Sequence, residues 1–96
     1  NYGRLVVYYI LIMKNSIKTK IIELYPNFPK KILEIHPDIT PSELELCILI
    51  KYNMGVNEIA SILSKNKRTI ETKRYRLRKK LQLNRNVKLN NYIIKI

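Results

Sequence analysis

The stretch "ITPSELELCILIKYN", residues 39–53, constrains this chain more than any other. Thr40 has the side chain of a helix N-cap, and Pro41 suits the first helical position, where its missing N–H is not needed. Glu43, three residues after Thr40, completes a capping box. Leu44, Cys47 and Ile48, with Leu46, Leu49 and Ile50 flanking them, are apolar enough for a helix buried on most sides. Asn53 tolerates the left-handed backbone that ends a helix. The spacing therefore predicts a central helix, and with it an all-α fold.

The C-terminal half of the chain supplies partners for that helix. In "MGVNEIASILS" Gly55 is an acceptable cap, and Ile59, Ala60, Ile62 and Leu63 form the inward face of a short second helix. After the three-residue break "SKN", in which Asn66 is a good cap, a long helix runs over about 67–81. Its apolar stripe is narrow, made of Ile70, Leu77 and Leu81. Lys67, Arg68, Glu71, Thr72, Arg74, Tyr75, Arg78 and Lys79 cover the rest. Ala60 is small where two helices joined by so short a turn cross closely. "QLNRN" ends the long helix, and "VKLNNYIIKI" can form a last short one with Val87, Leu89, Ile93 and Ile94 apolar.

Upstream, "LVVYYILIM" (Leu5 to Met13) is an unbroken apolar run of nine residues. It is too short to span a bilayer, which takes about twenty helical residues, and it lacks the pattern of a signal peptide. A buried or interchain helix, a β-strand and the stub of a membrane helix all remain open readings, the helix leading. Ile17, Ile21, Ile22 and Leu24 continue an apolar stripe until "YPNFP" breaks it, and Pro29 to Ile35 can form a short helix stopped by "HPD". No initiating Met opens the chain, as in a piece of something larger.

Charge is the second constraint. Formal net charge is +12, and residues 65–88 carry +10 of it, with eleven basic side chains against Glu71 alone. Abundant Ile, Lys, Asn and Tyr is typical of AT-rich coding sequence, which accounts for some lysines as a solvated charge run. It does not account for the arginines, five of six of which (Arg68, Arg74, Arg76, Arg78 and Arg85) fall in that segment. A charge so localised favours a polyanionic partner. The chain has no carboxylate cluster for metals, no supported Ser/His/Asp set and no Gly-rich phosphate loop, so no enzyme, cofactor or metal is expected. His36 lacks ligand-spaced partners. Cys47 stands alone among apolar neighbours, as a core thiol in a reducing compartment does.

A buried helix, a short helix with a small residue, a tight turn and a basic amphipathic helix make the sequence shape of a helix-turn-helix. Here "ITPSELELCILI", "NEIASILS" and "RTIETKRYRLRKKLQL" together resemble the LuxR/GerE-type DNA-binding domain of bacterial response regulators. Thr40, Glu43, Glu58, Ile59, Ala60, Leu63, Thr69, Lys80 and Leu81 match the family pattern, with Ile70 in its Val place. "YPNF", "HPDITPSELELC" and "RYRLRKKL" look closer still to a subset at the C-terminus of large Bacteroidetes-type regulators. In that subset the domain follows tetratricopeptide repeats, a membrane helix or a coiled coil. The resemblance implies a linker or arm over 1–35 and a DNA-binding domain over 36–96. It also implies a cytoplasmic protein, tethered to the inner membrane if a membrane helix precedes it. The sequence departs from the family at four places: Asn53 for glycine, Gly55 for a capping Ser, Lys65 for a buried Ile and Asn66 for Ser.

Carried over by position, Glu71, Thr72 and Tyr75 fall where the family's base-reading side chains sit. Glu71 can accept from a cytosine amino group and Thr72 can meet a thymine methyl. The plainer alternatives are a helix-surface ion pair from Glu71 to Lys67, Arg74 or Arg78, and Tyr75 packing on the preceding turn. Asn66, Lys67, Arg68, Thr69, Lys73, Arg76 and Lys79 are expected to contact phosphates, which positions a helix without specifying sequence. Lys73 and Lys80 can instead lie along the core edge. The leading functional expectation is sequence-specific binding of double-stranded DNA by the output module of a transcription regulator. Such a module would act as a homodimer through the last helix, Val87 to Ile96, on a short inverted repeat. The competing expectations are a protein-interaction domain using the apolar arm, a non-specific nucleic-acid binder, and a promoter-recognition module like the last region of a sigma factor.

Overall fold

A computed structural model of the protein describes residues 2–12 and 16–96. The described residues form helices only: α1 (Tyr2–Ile12), α2 (Ser16–Leu24), α3 (Phe28–Ile35), α4 (Pro41–Lys51), α5 (Val56–Leu63), α6 (Lys67–Lys80) and α7 (Leu89–Ile94). The early apolar run is thus helical through Ile12, while Met13 lies outside the described residues. No helix among those residues is long and apolar enough to cross a membrane.

Helix α4 is the axis. Leu44, Leu46, Cys47, Ile48, Leu49 and Ile50 are all buried, because α1, α2, α3, α6 and α7 each pack against it. The capping box forms as the sequence requires: Glu43 N–H donates to Thr40 Oγ1 at 3.2 Å, and Thr40 N–H donates to Glu43 Oε1 at 2.8 Å. Burial drives the Cys47 thiol pKa far above its usual range, which leaves it a protonated core group.

Helices α4, α5 and α6 end in the same way. After each, one residue turns left-handed: Asn53 at φ 58°, Ser64 at φ 54° and Gln82 at φ 56°. The next N–H then reaches back to a carbonyl five residues earlier, from Met54 to Leu49, Lys65 to Ala60 and Leu83 to Arg78. This is a Schellman closure, which satisfies carbonyls the helix itself cannot. Only Asn53 advertised it. Ser64 and Gln82 occupy a conformation that costs an L-residue roughly 1–2 kcal/mol, so the surrounding turns impose it.

The second helix departs from its expected stripe. Ile21 is buried and Ile22 partly so, but Ile17 and Leu24 face outward, at 39% and 61% exposure. Lys18 takes a buried place instead, paired with Glu45 of α4. A cation is tolerated there because a carboxylate on the facing helix meets it, which spacing within α2 does not reveal. Helix α3 starts one residue before Pro29 and buries Phe28, Pro29 and Ile32 while leaving Ile35 exposed.

Helix α7 is latched at several points. Leu89 and Ile93 enter the core, whereas Ile94 is exposed. Asn90 Nδ2 donates to Asn53 Oδ1 (3.2 Å) and to the Met54 carbonyl (3.3 Å). Tyr92 Oη lies 2.7 Å from His36 Nε2. At the other end, Lys51 donates to the Ile94 carbonyl at 2.7 Å and sits over the rings of Tyr25 and Phe28. Desolvation, and then Lys31 nearby, lowers the Lys51 pKa.

Candidate nucleic-acid interface

The pair α5–α6 is joined by Ser64, Lys65 and Asn66. Ile59 and Ala60 are buried, and α5 packs mainly on α6. Helix α6 opens with Asn66, whose Oδ1 accepts from the Thr69 N–H at 2.7 Å. Ile70, Leu77 and Leu81 are buried, as their spacing predicts. With about 3.6 residues per turn, a stripe that narrow leaves more than half of the helix circumference outward. Lys65 is exposed and holds its charge in solvent.

The structure sorts the basic segment into two groups. Lys67, Arg68, Arg76 and Lys79 are exposed along the outward face together with Glu71, Thr72 and Tyr75. Tyr75 is 59% exposed, with Lys79 Nζ 5.0 Å from its ring centroid. It is therefore open to solvent on the outward face, with Lys79 beside its ring. Lys67, Arg68, Glu71, Thr72 and Tyr75 line one open concavity. Asn66, Arg68, Thr69, Thr72, Lys73 and Arg76 line a second, and Thr72 and Arg68 belong to both. Glu71 makes no ion pair with any described residue, so its carboxylate remains available in a field of cations.

The second group is drawn toward the rest of the fold, Lys73 least of all. Lys73 donates to Ser42 Oγ on α4 at 3.2 Å, which draws it toward the helix edge while it still lines the second concavity. Lys80 donates to Glu43 Oε1 at 2.9 Å and to the Asp38 carbonyl at 3.2 Å. Burial pushes the Glu43 carboxyl pKa up, but the Thr40 N–H, Lys80 and the Thr40 hydroxyl outweigh it, and the net shift is downward. The Glu43 hydrogen bond raises the Lys80 pKa. One carboxylate thus caps α4 and moors the end of α6.

Arg78 donates from Nη1 to the Val87 carbonyl (2.6 Å) and from Nη2 to the Asn84 carbonyl (2.9 Å). It shapes the α6–α7 loop. Arg74 is half-buried, its Nη1 is buried without a hydrogen-bond partner, and desolvation followed by Arg78 lowers its pKa. Lys73 and Lys80 thus lie at the core edge, the alternative their positions allowed, while their partners, 31 to 42 positions away in the chain, are set by the packing.

Among the described residues no group of three or more His, Cys, Asp or Glu side chains could hold a metal ion. The chain matches no family model, no curated protein and no solved structure.

Proposed function

We propose that this chain is a sequence-specific binder of double-stranded DNA that inserts the outward face of α6 in the major groove. The observation that carries the reading is the composition of that face: Lys67, Arg68, Arg76 and Lys79 surround Glu71, Thr72 and Tyr75, all exposed on one helix with a capped N-terminus. An α-helix fits a groove about 12 Å wide, cations meet the phosphates on its walls, and short polar side chains between them reach base edges. Glu71, Thr72 and Tyr75 are assigned to bases, and Asn66, Lys67, Arg68, Thr69, Lys73, Arg76 and Lys79 to phosphates. Asn66 serves with its amide nitrogen, since its oxygen caps the helix.

The resemblance to LuxR/GerE-type domains supports the same reading, with the chain as the output module of a bacterial transcription regulator. Dimerisation through α7 then uses its outward residues, such as Asn91 and Ile94, with Lys95 just beyond its end, since Leu89 and Ile93 belong to the core.

Selection from random duplexes across a salt series tests the proposal. A palindromic consensus is expected, with log affinity falling linearly against log salt. Thr72→Ala is expected to change preference at one base pair by about 1 kcal/mol. Salt-dependent binding without a consensus would leave a helix that grips phosphates, and no binding at all would overturn the proposal.

A further inference from the structure

Arg4 is the only charged residue among the first thirteen, and it points inward. Its Nη2 donates to Tyr8 Oη at 2.9 Å and to the Ile39 carbonyl at 3.0 Å, and Tyr8 Oη in turn donates to that same carbonyl. Tyr8 and Ile39 are both buried. Both lone pairs of the Ile39 oxygen are therefore occupied by α1, one by a charged donor. The guanidinium also polarises the tyrosine hydroxyl, so the two bonds reinforce each other.

The carbonyl just before it is held from the opposite direction. Lys80, at the end of α6, donates to the Asp38 oxygen, and Glu43 ties that lysine to the start of α4. Ile39 N–H is spent on the His36 carbonyl, and Thr40 N–H on Glu43. Consecutive peptide groups in a short segment are thus gripped by α1 on one side and by α6 on the other. A segment held at so many of its polar groups is stiff, so displacing one grip shifts the other.

We infer that α1 is a positioning element for α6, with Arg4 and Tyr8 acting on the proposed DNA-binding helix through the Asp38–Ile39 backbone. Whatever moves α1, including a segment attached ahead of it, is then felt at the C-terminal end of α6. This inference rests on the DNA-binding reading only for its functional consequence; the mechanical coupling stands apart from it.

The test is amide hydrogen exchange on the full chain carrying Tyr8→Phe, which keeps the buried ring and the net charge and removes one hydroxyl. Exchange of the amides from Leu77 to Leu83 is expected to accelerate about fivefold, the size of one hydrogen bond's net contribution. Affinity for the selected duplex is expected to fall by about the same factor, with random-duplex affinity and the salt slope unchanged. Arg4→Lys, which keeps the charge but loses the forked donor, should give the same pattern and guards against a folding defect peculiar to one variant. Faster exchange confined to Thr40–Leu44, with the end of α6 untouched, would overturn the inference. If the wild-type chain binds no duplex, the DNA reading fails, and the exchange result still decides the coupling.

Discussion

Helices α2 and α6 both carry lysines on a mixed apolar and polar surface, and the two use them in opposite ways. In α2, Lys18 is buried and paired with Glu45, while Ile17 and Leu24 of the same helix face solvent. In α6 the apolar residues are inside and Lys67, Arg68, Arg76 and Lys79 are exposed, with no carboxylate among the described residues paired to them. Each side chain follows what faces it. A helix meeting a carboxylate can bury a cation, whereas a helix whose outward side meets only water keeps its cations solvated and ready for an external anion.

That contrast is open to measurement. Glu45→Ala takes the facing carboxylate away from the buried Lys18 ammonium and is expected to lower stability by about 2 kcal/mol, less than for a fully buried pair because Glu45 is partly exposed. Urea unfolding reads this directly. A loss within about 0.5 kcal/mol would mean that Lys18 is as well solvated as the α6 cations, and the contrast would break.

The end of α6 separates backbone strain from charge. Gln82→Gly, at the left-handed position, is expected to raise stability by about 0.5–1 kcal/mol by removing the Cβ conflict. An unchanged or lowered melting temperature would mean that the Gln82 side chain contributes more than its backbone costs.

The smallest effect on the fold belongs to the outward face. Arg68→Ala combined with Arg76→Ala should leave stability within about 0.5 kcal/mol of the wild type. The same pair should lower the log–log salt slope of duplex binding by about two. A clear stability loss would move these arginines from the external group to the internal one and sharpen where the boundary lies.

Much of this architecture is legible locally. The Thr40–Glu43 box, the Asn66 cap, the Asn53 stop and the Ile70–Leu77–Leu81 stripe each depend on residues within a few turns of one another. The burial of α4 is legible as well, since seven residues from Leu44 to Ile50 contain a single polar side chain, Glu45. The candidate site was legible as a face, with a core-edge place for Lys73 and Lys80 as an open alternative, but the partners that hold them were not. Nothing near Lys73, Arg78 or Lys80 shows that each is held by an oxygen of another helix or loop.

The chain by itself determined that it would be helical, where its three best-defined helices start, and that one of them would bear a basic face. These follow from backbone capping and helical period, which act over three to four residues. Only the tertiary structure decided which cations are spent and which are free, that Lys18 goes inside while Leu24 stays out, and that Arg4 and Tyr8 reach the Ile39 carbonyl, 35 and 31 positions away. The physical reason is that a charged or polar group settles according to the partner it meets. Partners supplied by other helices exist only once those helices are packed.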